Sequence, residues 1–181
     1  MCGIAGAIAL RAAPCGISDP LDRIVERMAK RLMHRGPDGA GLWKAPSGRI
    51  ALSHRRLAII DLTDTGRQPM EYAGRFWMTF NGEIYNFKEL RPQLLALGHS
   101  FHGESDTEVL LAAIAQWGME DALSRCVGMF AFAVWDARIA SCTSLAIAWA
   151  RSPSIWVRSA AICSLPRSFA PLGRYEALTR K

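Results

Sequence analysis

Long apolar runs are missing from this 181-residue sequence, although half of its residues are hydrophobic. No stretch reaches the 18 or more apolar residues of a membrane-spanning helix, and residues 1–10 lack the basic start of a secretory signal. We therefore expect a cytoplasmic protein with no membrane partner. A charged fraction of 21% beside 50% hydrophobic residues argues against disorder and for one globular domain.

Metal-ligand spacing is also missing. The five cysteines, at positions 2, 15, 126, 142 and 163, form no such pattern and have no even count for disulfide pairing. We interpret them as free thiols in a reducing compartment. The four histidines are not grouped as ligands either, so we predict no metal site.

Excess positive charge is nearly absent from residues 1–138, even though the whole chain carries +6. Residues 139–181 hold six Lys and Arg side chains against one Glu, a net charge of +5, which leaves +1 for the rest. A basic tail alone does not make a nucleic-acid surface, and we expect no nucleic-acid partner. The tail is rich in Ser and Ala without an apolar period, so the composition divides near residue 138.

The apolar periods predict alternating sheets and helices. Short apolar runs favour strands near residues 2–10 and 49–62, and alternation favours strands near residues 75–81 and 128–135. Helical periods cover residues 20–35, 86–97 and 105–117. We expect Asp19 to cap the first helix, Leu97 to face inward in the second, and Ser105 and Glu108 to form a capping box for the third. Without regular βαβ spacing, this pattern favours an α+β fold of packed sheets covered by helices.

Four short motifs carry the chemistry of the chain. They are Met1–Gly6 (MCGIAG), His34–Asp38 (HRGPD), Arg56–Asp61 (RLAIID) and Phe80–Asn86 (FNGEIYN). In this order and spacing they resemble the N-terminal glutamine-hydrolysing domain of asparagine synthetases, a class II amidotransferase. The resemblance covers residues 2–138 and implies an N-terminal-nucleophile hydrolase fold, an αββα sandwich. It also implies L-glutamine as the substrate, hydrolysed to glutamate and ammonia.

Cys2 is the predicted nucleophile. Removal of Met1 leaves a thiol and a free α-amine on one residue, and an α-amine titrates at about 7.7 to 8.0, near enough to neutrality to accept the thiol proton. The alternative interpretation is an inert, buried cysteine.

Asn81 and Gly82 are the catalytic partners that the resemblance implies. They would donate hydrogen bonds, from the Asn81 side chain and the Gly82 backbone N–H, to the oxyanion formed during attack on glutamine. An isolated Asn-Gly pair would instead predict the tight turn of a hairpin.

Recognition of free glutamine requires partners for its α-carboxylate and its α-ammonium. Arg56 offers a bidentate donor for the first and Asp106 a counter-charge for the second. Alternatively, Arg56 is a solvated surface residue and Asp106 faces the dipole of its helix. By resemblance, the pocket is completed by backbone groups of Leu57, Ala58, Ile59 and Ile60 and by the Glu83 region.

The resemblance ends after residue 138. Relatives continue with further sandwich strands containing Arg-Asp-Arg-x-Gly-x-Lys-Pro-Leu-Tyr, and then with a synthetase domain that uses ATP and Mg. Neither pattern occurs here, so we expect no cofactor in this chain and no closing sandwich strands from residues 139–181. A shifted reading of codons 140–168 can encode the missing pattern, which indicates a frameshift near residue 139.

Two other interpretations stay open at this level. The chain is a non-catalytic remnant if the altered tail prevents folding, or it belongs to another class II amidotransferase of the purine or aminosugar type. The sequence indicates no oligomeric state.

Overall fold

Seven strands form two antiparallel sheets in the computed structural model, which describes residues 2–9, 19–58, 64–139 and 141–147. The strands are β1 Gly3–Ile8, β2 Gly39–Lys44, β3 Ile50–Arg56, β4 Met70–Tyr72, β5 Phe76–Ile84, β6 Gly128–Asp136 and β7 Ser141–Ile147. The first sheet has the order β1–β3–β2, and the second has the order β4–β5–β6–β7.

Four α-helices cover the outer faces of the two sheets within the described ranges. They are α1 Leu21–Arg31, α2 Phe87–Ala96, α3 Asp106–Trp117 and α4 Met119–Arg125. Helix α1 packs on all three strands of the first sheet, whereas α3 packs on β4 and β5 and carries α2 and α4 on its sides. Because β1 and β3 also contact β5, the two sheets face each other. The predicted αββα sandwich is confirmed.

The gap between the sheets is filled by side chains at alternate positions. Ile50 and Leu52 of β3 form one cluster with Trp135 of β6 and Trp77 of β5. The Trp77 ring stacks on Trp43 with 4.8 Å between centroids. Since strand side chains alternate between faces, even-numbered residues of β3 and odd-numbered residues of β5 point into this gap.

The larger core lies on the other face of the second sheet. Even-numbered β5 residues, including Phe76, Met78 and Phe80, pack there against α3, whose Leu110 and Leu111 are fully buried. None of the helices in the described part of the chain has the length and apolarity needed to cross a membrane.

The helix ends confirm one predicted cap and correct another. Ser105 Oγ accepts from the Glu108 N–H at 3.2 Å, as predicted, but the Glu108 carboxylate accepts from the His102 and Gly103 N–H groups instead of closing the box. Helix α1 begins without a side-chain cap, because Pro20 occupies the N-cap position. Asp19 lies one residue earlier and forms an ion pair with Arg27 at 2.7 Å. Leu97 is 51% exposed, since α2 ends one residue before it.

Strand β7 corrects the expectation that the tail adds no sandwich strand. It pairs antiparallel with β6, from Asp136 opposite Ser141 to Phe130 opposite Ile147. Strand pairing uses backbone groups that every residue except proline supplies, and the first proline after residue 138 is Pro153. An altered sequence can therefore still extend the sheet. Residues 148–181 lie outside the described residues, and the frameshift stays a prediction.

Candidate active site

Cys2 lies immediately before β1, at the end of the first sheet. Its side chain is half-buried, and its Sγ accepts from the Leu57 N–H at 3.4 Å and lies 3.5 Å from the Leu57 carbonyl oxygen. Ile8 of β1 faces the gap between the sheets. The same alternation, carried back to position 2, places the thiol on that face. Both backbone groups of Leu57 thus contact the sulfur and fix the position of the thiol.

Asn81 and Gly82 lie within β5, not in a turn. Asn81 opposes Ala131 and Gly82 opposes Phe130 on β6, so the hairpin interpretation of this pair is wrong. Trp77 and Thr79 both point from β5 toward the first sheet, the latter donating to the Ser53 carbonyl at 3.1 Å. Asn81 is the next alternate residue of β5 after Trp77 and Thr79. Its side chain is therefore directed into the same gap, toward which Cys2 also points.

The Gly82 N–H points away from β6, toward the other edge of β5. Tyr85 and Ala137 make backbone bonds across the β5–β6 pair, Tyr85 N–H to the Val127 carbonyl and Ala137 N–H to the Arg75 carbonyl. Odd-numbered β5 residues therefore bond to β6, and the N–H groups of even-numbered residues point away from it. This direction leaves the Gly82 N–H available at an edge of the sheet, as an oxyanion donor requires.

Arg56 ends β3 and is half-buried. Like Ile50 and Leu52 it has an even number in β3, so its side chain leaves the backbone on the same face as the Cys2 thiol. The surface interpretation of Arg56 is thus disfavoured. Its predicted pocket neighbours Ile59 and Ile60 lie outside the described residues.

The His34–Asp38 motif contacts the backbone that follows β3 and holds it through hydrogen bonds. The Asp38 carboxylate accepts from the Ala58 N–H at 2.9 Å, and the Asp38 N–H donates to the Arg56 carbonyl at 3.0 Å. Gly36 lies so close that an added Cβ would be 2.3 Å from the Arg55 oxygen. The motif therefore fixes the backbone of Leu57 and Ala58, which the sequence predicts to line the pocket.

Asp106 is the first residue of α3 and is buried. Its carboxylate accepts from the Ile84 N–H at 2.9 Å at the end of β5, and the Thr107 hydroxyl donates to it at 3.4 Å. Burial raises the pKa of Asp106, and the charge of Glu83 acts in the same direction. Asp106 thus lies next to the Asn81–Glu83 segment. Its carboxylate already accepts from one backbone N–H, that of Ile84, besides the α-ammonium of glutamine that it is predicted to bind.

Comparison with known proteins identifies the family of the chain. Residues 1–147 match the family model described as the glutamine amidotransferase domain. The chain belongs to this family.

The amidotransferase domain is similar to curated asparagine synthetases. It is 39% identical to the glutamine-hydrolysing asparagine synthetase 1 of Bacillus subtilis over 137 residues, which are 75% of this chain and 21% of that protein. It is 37% identical to the glutamine-hydrolysing asparagine synthetase of Brassica oleracea over 170 residues, covering 88% of this chain and 27% of the relative. The chain thus spans about a quarter or less of these relatives.

A solved structure shares the fold of the amidotransferase domain. The glutamine phosphoribosylpyrophosphate amidotransferase of B. subtilis superposes with a TM-score of 0.58 at 23% identity, over 75% of this chain and 34% of the other. At this identity the likeness concerns the fold alone.

Sequence reasoning missed His54. Its side chain is 2% exposed in the gap between the sheets, where Nε2 lies 3.0 Å from the Phe80 carbonyl oxygen. Burial, and to a smaller extent the charge of Arg56, lowers the pKa of His54 to about 4, while the bond to Phe80 opposes this shift. Its even position in β3, two residues after Leu52, is the signal that could have placed it inward.

Acid should destabilise the amidotransferase domain through His54. A histidine that titrates near 6.5 in the unfolded chain and at about 4 when folded costs no stability above pH 6.5. As the pH falls from 6.5 toward 4, the unfolded state binds the extra proton, and the free energy of unfolding should drop by about 3 kcal/mol. His54→Gln has no such proton to bind. Urea unfolding of both proteins at pH 7 and pH 4.5 should show a smaller loss for the variant, and equal losses would contradict the assignment.

Proposed function

We propose that this domain binds L-glutamine and hydrolyses its side-chain amide to glutamate and ammonia through a thioester on Cys2. The proposal is supported chiefly by strand alternation, which directs the side chains of Cys2, Arg56 and Asn81 to one gap between the sheets. The family membership and the similarity to glutamine-hydrolysing relatives support it.

In the first half-reaction the Cys2 sulfur attacks the amide carbon of the glutamine side chain. The α-amine exposed by loss of Met1 takes the thiol proton, and the C=O electron pair moves onto oxygen. Asn81 and the Gly82 N–H stabilise this oxyanion. When the carbonyl re-forms, the C–N bond breaks, and the ammonium form of the α-amine returns the proton to the leaving nitrogen, which departs as ammonia.

In the second half-reaction water attacks the thioester carbon. The α-amine accepts a proton from that water, and the second oxyanion uses the same two donors. Collapse breaks the C–S bond, gives glutamate, and returns the proton to sulfur. One pair of donors thus serves both steps.

Substrate recognition is assigned to two charged side chains. Arg56 would bind the α-carboxylate of glutamine with its two-pronged guanidinium. Asp106 would bind the α-ammonium, whose positive charge favours the ionised carboxylate against the upward pKa shift caused by burial. Leu57, Ala58 and Glu83 would complete the pocket, and the predicted contributions of Ile59 and Ile60 fall outside the described residues.

Purified protein tests the proposal directly. Incubation with L-glutamine should release glutamate and ammonia in equal amounts, and glutamine without its α-carboxylate or α-ammonium should be a poor substrate. Folded, Met1-free protein that releases neither product would refute the proposal and favour the non-catalytic interpretation.

Asn81→Ala should lower kcat by roughly 10²- to 10³-fold, because it removes one oxyanion donor. KM should change little, since this donor acts mainly in the transition state. Steady-state kinetics with glutamine measure both values. Arg56→Ala is the contrasting variant, with its loss expected chiefly in KM. A change in glutamine affinity alone for Asn81→Ala would contradict the oxyanion role.

The proposal covers the glutamine half-reaction in a cytoplasmic protein. Transfer of ammonia to an acceptor, with ATP and Mg, is proposed for the synthetase region of the family, which lies outside the 21% to 27% of the relatives' length that this chain matches.

A further inference from the structure

Beyond β4, the edge of β5 that faces away from β6 forms hydrogen bonds with side chains and not with a neighbouring strand. Strand β4 pairs with β5 only from Phe76 to Met78, so the even-numbered residues beyond it lack that neighbour. The Phe80 N–H donates to Gln68 Oε1 at 2.6 Å, and the Ile84 N–H donates to the Asp106 carboxylate. Among side chains of the described residues, none accepts from the Gly82 N–H that lies between them.

His54 completes the attachment of Phe80. A carbonyl oxygen only accepts, so His54 Nε2 must donate across the 3.0 Å that separates the two atoms. The imidazole is neutral near pH 7 because burial lowers its pKa to about 4. The proton therefore resides on Nε2, and the ring is a fixed neutral donor.

Gln68 is itself held in place. Its Nε2 donates to the Thr107 hydroxyl at 3.2 Å, next to Asp106. On the other side, the Gln68 backbone lies against Gly41 of β2, where an added Cβ would be 1.9 Å from the Gln68 oxygen. Gln68 thus links β2, β5 and α3.

These bonds act on the residues proposed to stabilise the oxyanion. The Phe80 carbonyl belongs to the planar peptide group that also contains the Asn81 nitrogen. Fixing that plane fixes the starting direction of the Asn81 side chain and limits rotation of the next peptide, which carries the Gly82 N–H. Neither His54 nor Gln68 needs to touch glutamine to have this effect.

We propose that His54 and Gln68 are positioning residues that clamp the two backbone polar groups of Phe80 and thereby hold Asn81 and Gly82 in the geometry of an oxyanion site. This inference rests on the proposed function. Small displacements of oriented groups are costly, about 10²-fold in rate for a misplacement near 1 Å.

The test compares His54→Leu, which cannot donate, with His54→Gln, whose side-chain amide can donate from a similar reach. We expect kcat for glutamine to fall about 10- to 100-fold in His54→Leu, with KM within about twofold, and to recover in His54→Gln to within about threefold of the parent. Unchanged kcat in His54→Leu, an equal loss in both variants, or a loss confined to KM would overturn the proposal.

A second measurement separates positioning from general damage. Alkylation of Cys2 by iodoacetamide displaces iodide from a saturated carbon and forms no oxyanion, so its rate should be the same in parent and His54→Leu. A fall in alkylation parallel to that in kcat would overturn the proposal.

Gln68 provides the test if His54→Leu does not fold. Gln68→Leu removes the acceptor for the Phe80 N–H, whereas Gln68→Glu keeps an acceptor oxygen. The leucine variant should lose kcat about 10-fold or more and the glutamate variant should lose less. Equal kcat values would overturn the proposal.

Amide hydrogen exchange distinguishes this inference from the proposed function. Protection of the Phe80 and Asn81 amides, which bond to Gln68 and to β6, should fall about 10-fold in His54→Leu, whether or not glutamine is hydrolysed, while α3 amides keep their protection. A parent protein without glutaminase activity refutes the proposed function alone. Unchanged exchange at Phe80 and Asn81 refutes the positioning role.

Discussion

Cys2→Ser should lose about 10⁴-fold or more in kcat for glutamine hydrolysis, because a hydroxyl is a far poorer nucleophile than a thiol near neutral pH. The serine oxygen can still accept from the Leu57 N–H that contacts Cys2 Sγ. Folding and glutamine binding should therefore survive, and titration calorimetry with glutamine should detect binding without turnover. Turnover like that of the parent would exclude Cys2 as the nucleophile.

Cys126→Ser is the matched control, since it makes the same atomic change at the other cysteine whose side chain the structure describes. Cys126 packs against the larger core, and burial raises the pKa of its thiol to about 11, so it stays protonated near neutral pH. The control should keep its kcat.

Intact-mass analysis of the parent should also show loss of Met1, because a retained Met1 would block the α-amine. An active preparation that retains Met1 would contradict the mechanism.

The residues proposed to be catalytic could be named from the sequence because they stand at fixed positions within its motifs. Cys2, Asn81 and Gly82 needed only their local motifs, and the structure adds that Cys2 and Asn81 are directed to a common gap while the Gly82 N–H lies at the edge of β5. His54 and Gln68 could not be predicted in the same way. Their roles depend on contacts with Phe80 across 26 and 12 residues of chain, and neither residue type signals such a bond.

The fold was predictable where one face of an element is apolar over several turns or pleats. Packed sheets covered by helices, and strand β5, follow from such periods, whereas the αββα order was implied by the family resemblance. Strand β5 extends past the Asn-Gly pair because Ile84 is still buried opposite Gly128. Short or half-exposed strands carry less signal. Strand β4 has three residues, and β2 alternates only between half-buried and exposed positions. Strand β7 depends on backbone pairing, which composition does not report.

Gly82→Ala should destabilise the domain more than any other substitution considered. Gly82 has φ 153°, which favours glycine, and an added Cβ would lie 2.2 Å from the Met129 oxygen and 2.4 Å from the Phe130 Cα. These are backbone atoms of β6 and cannot move aside without breaking the β5–β6 pairing. Combining backbone strain with overpacking, we expect the free energy of unfolding to fall by about 3 kcal/mol or more.

Gly98→Ala separates crowding from backbone strain. Gly98 also has a positive φ, 89°, but an added Cβ there would meet no atom within 4 Å. Its loss should be about 1 kcal/mol, which is the cost of the backbone conformation alone. Urea unfolding of the two variants and the parent measures the difference. Equal losses would show that β5 and β6 are not in close contact at Gly82, and the backbone donor proposed for the oxyanion would then lose its fixed support.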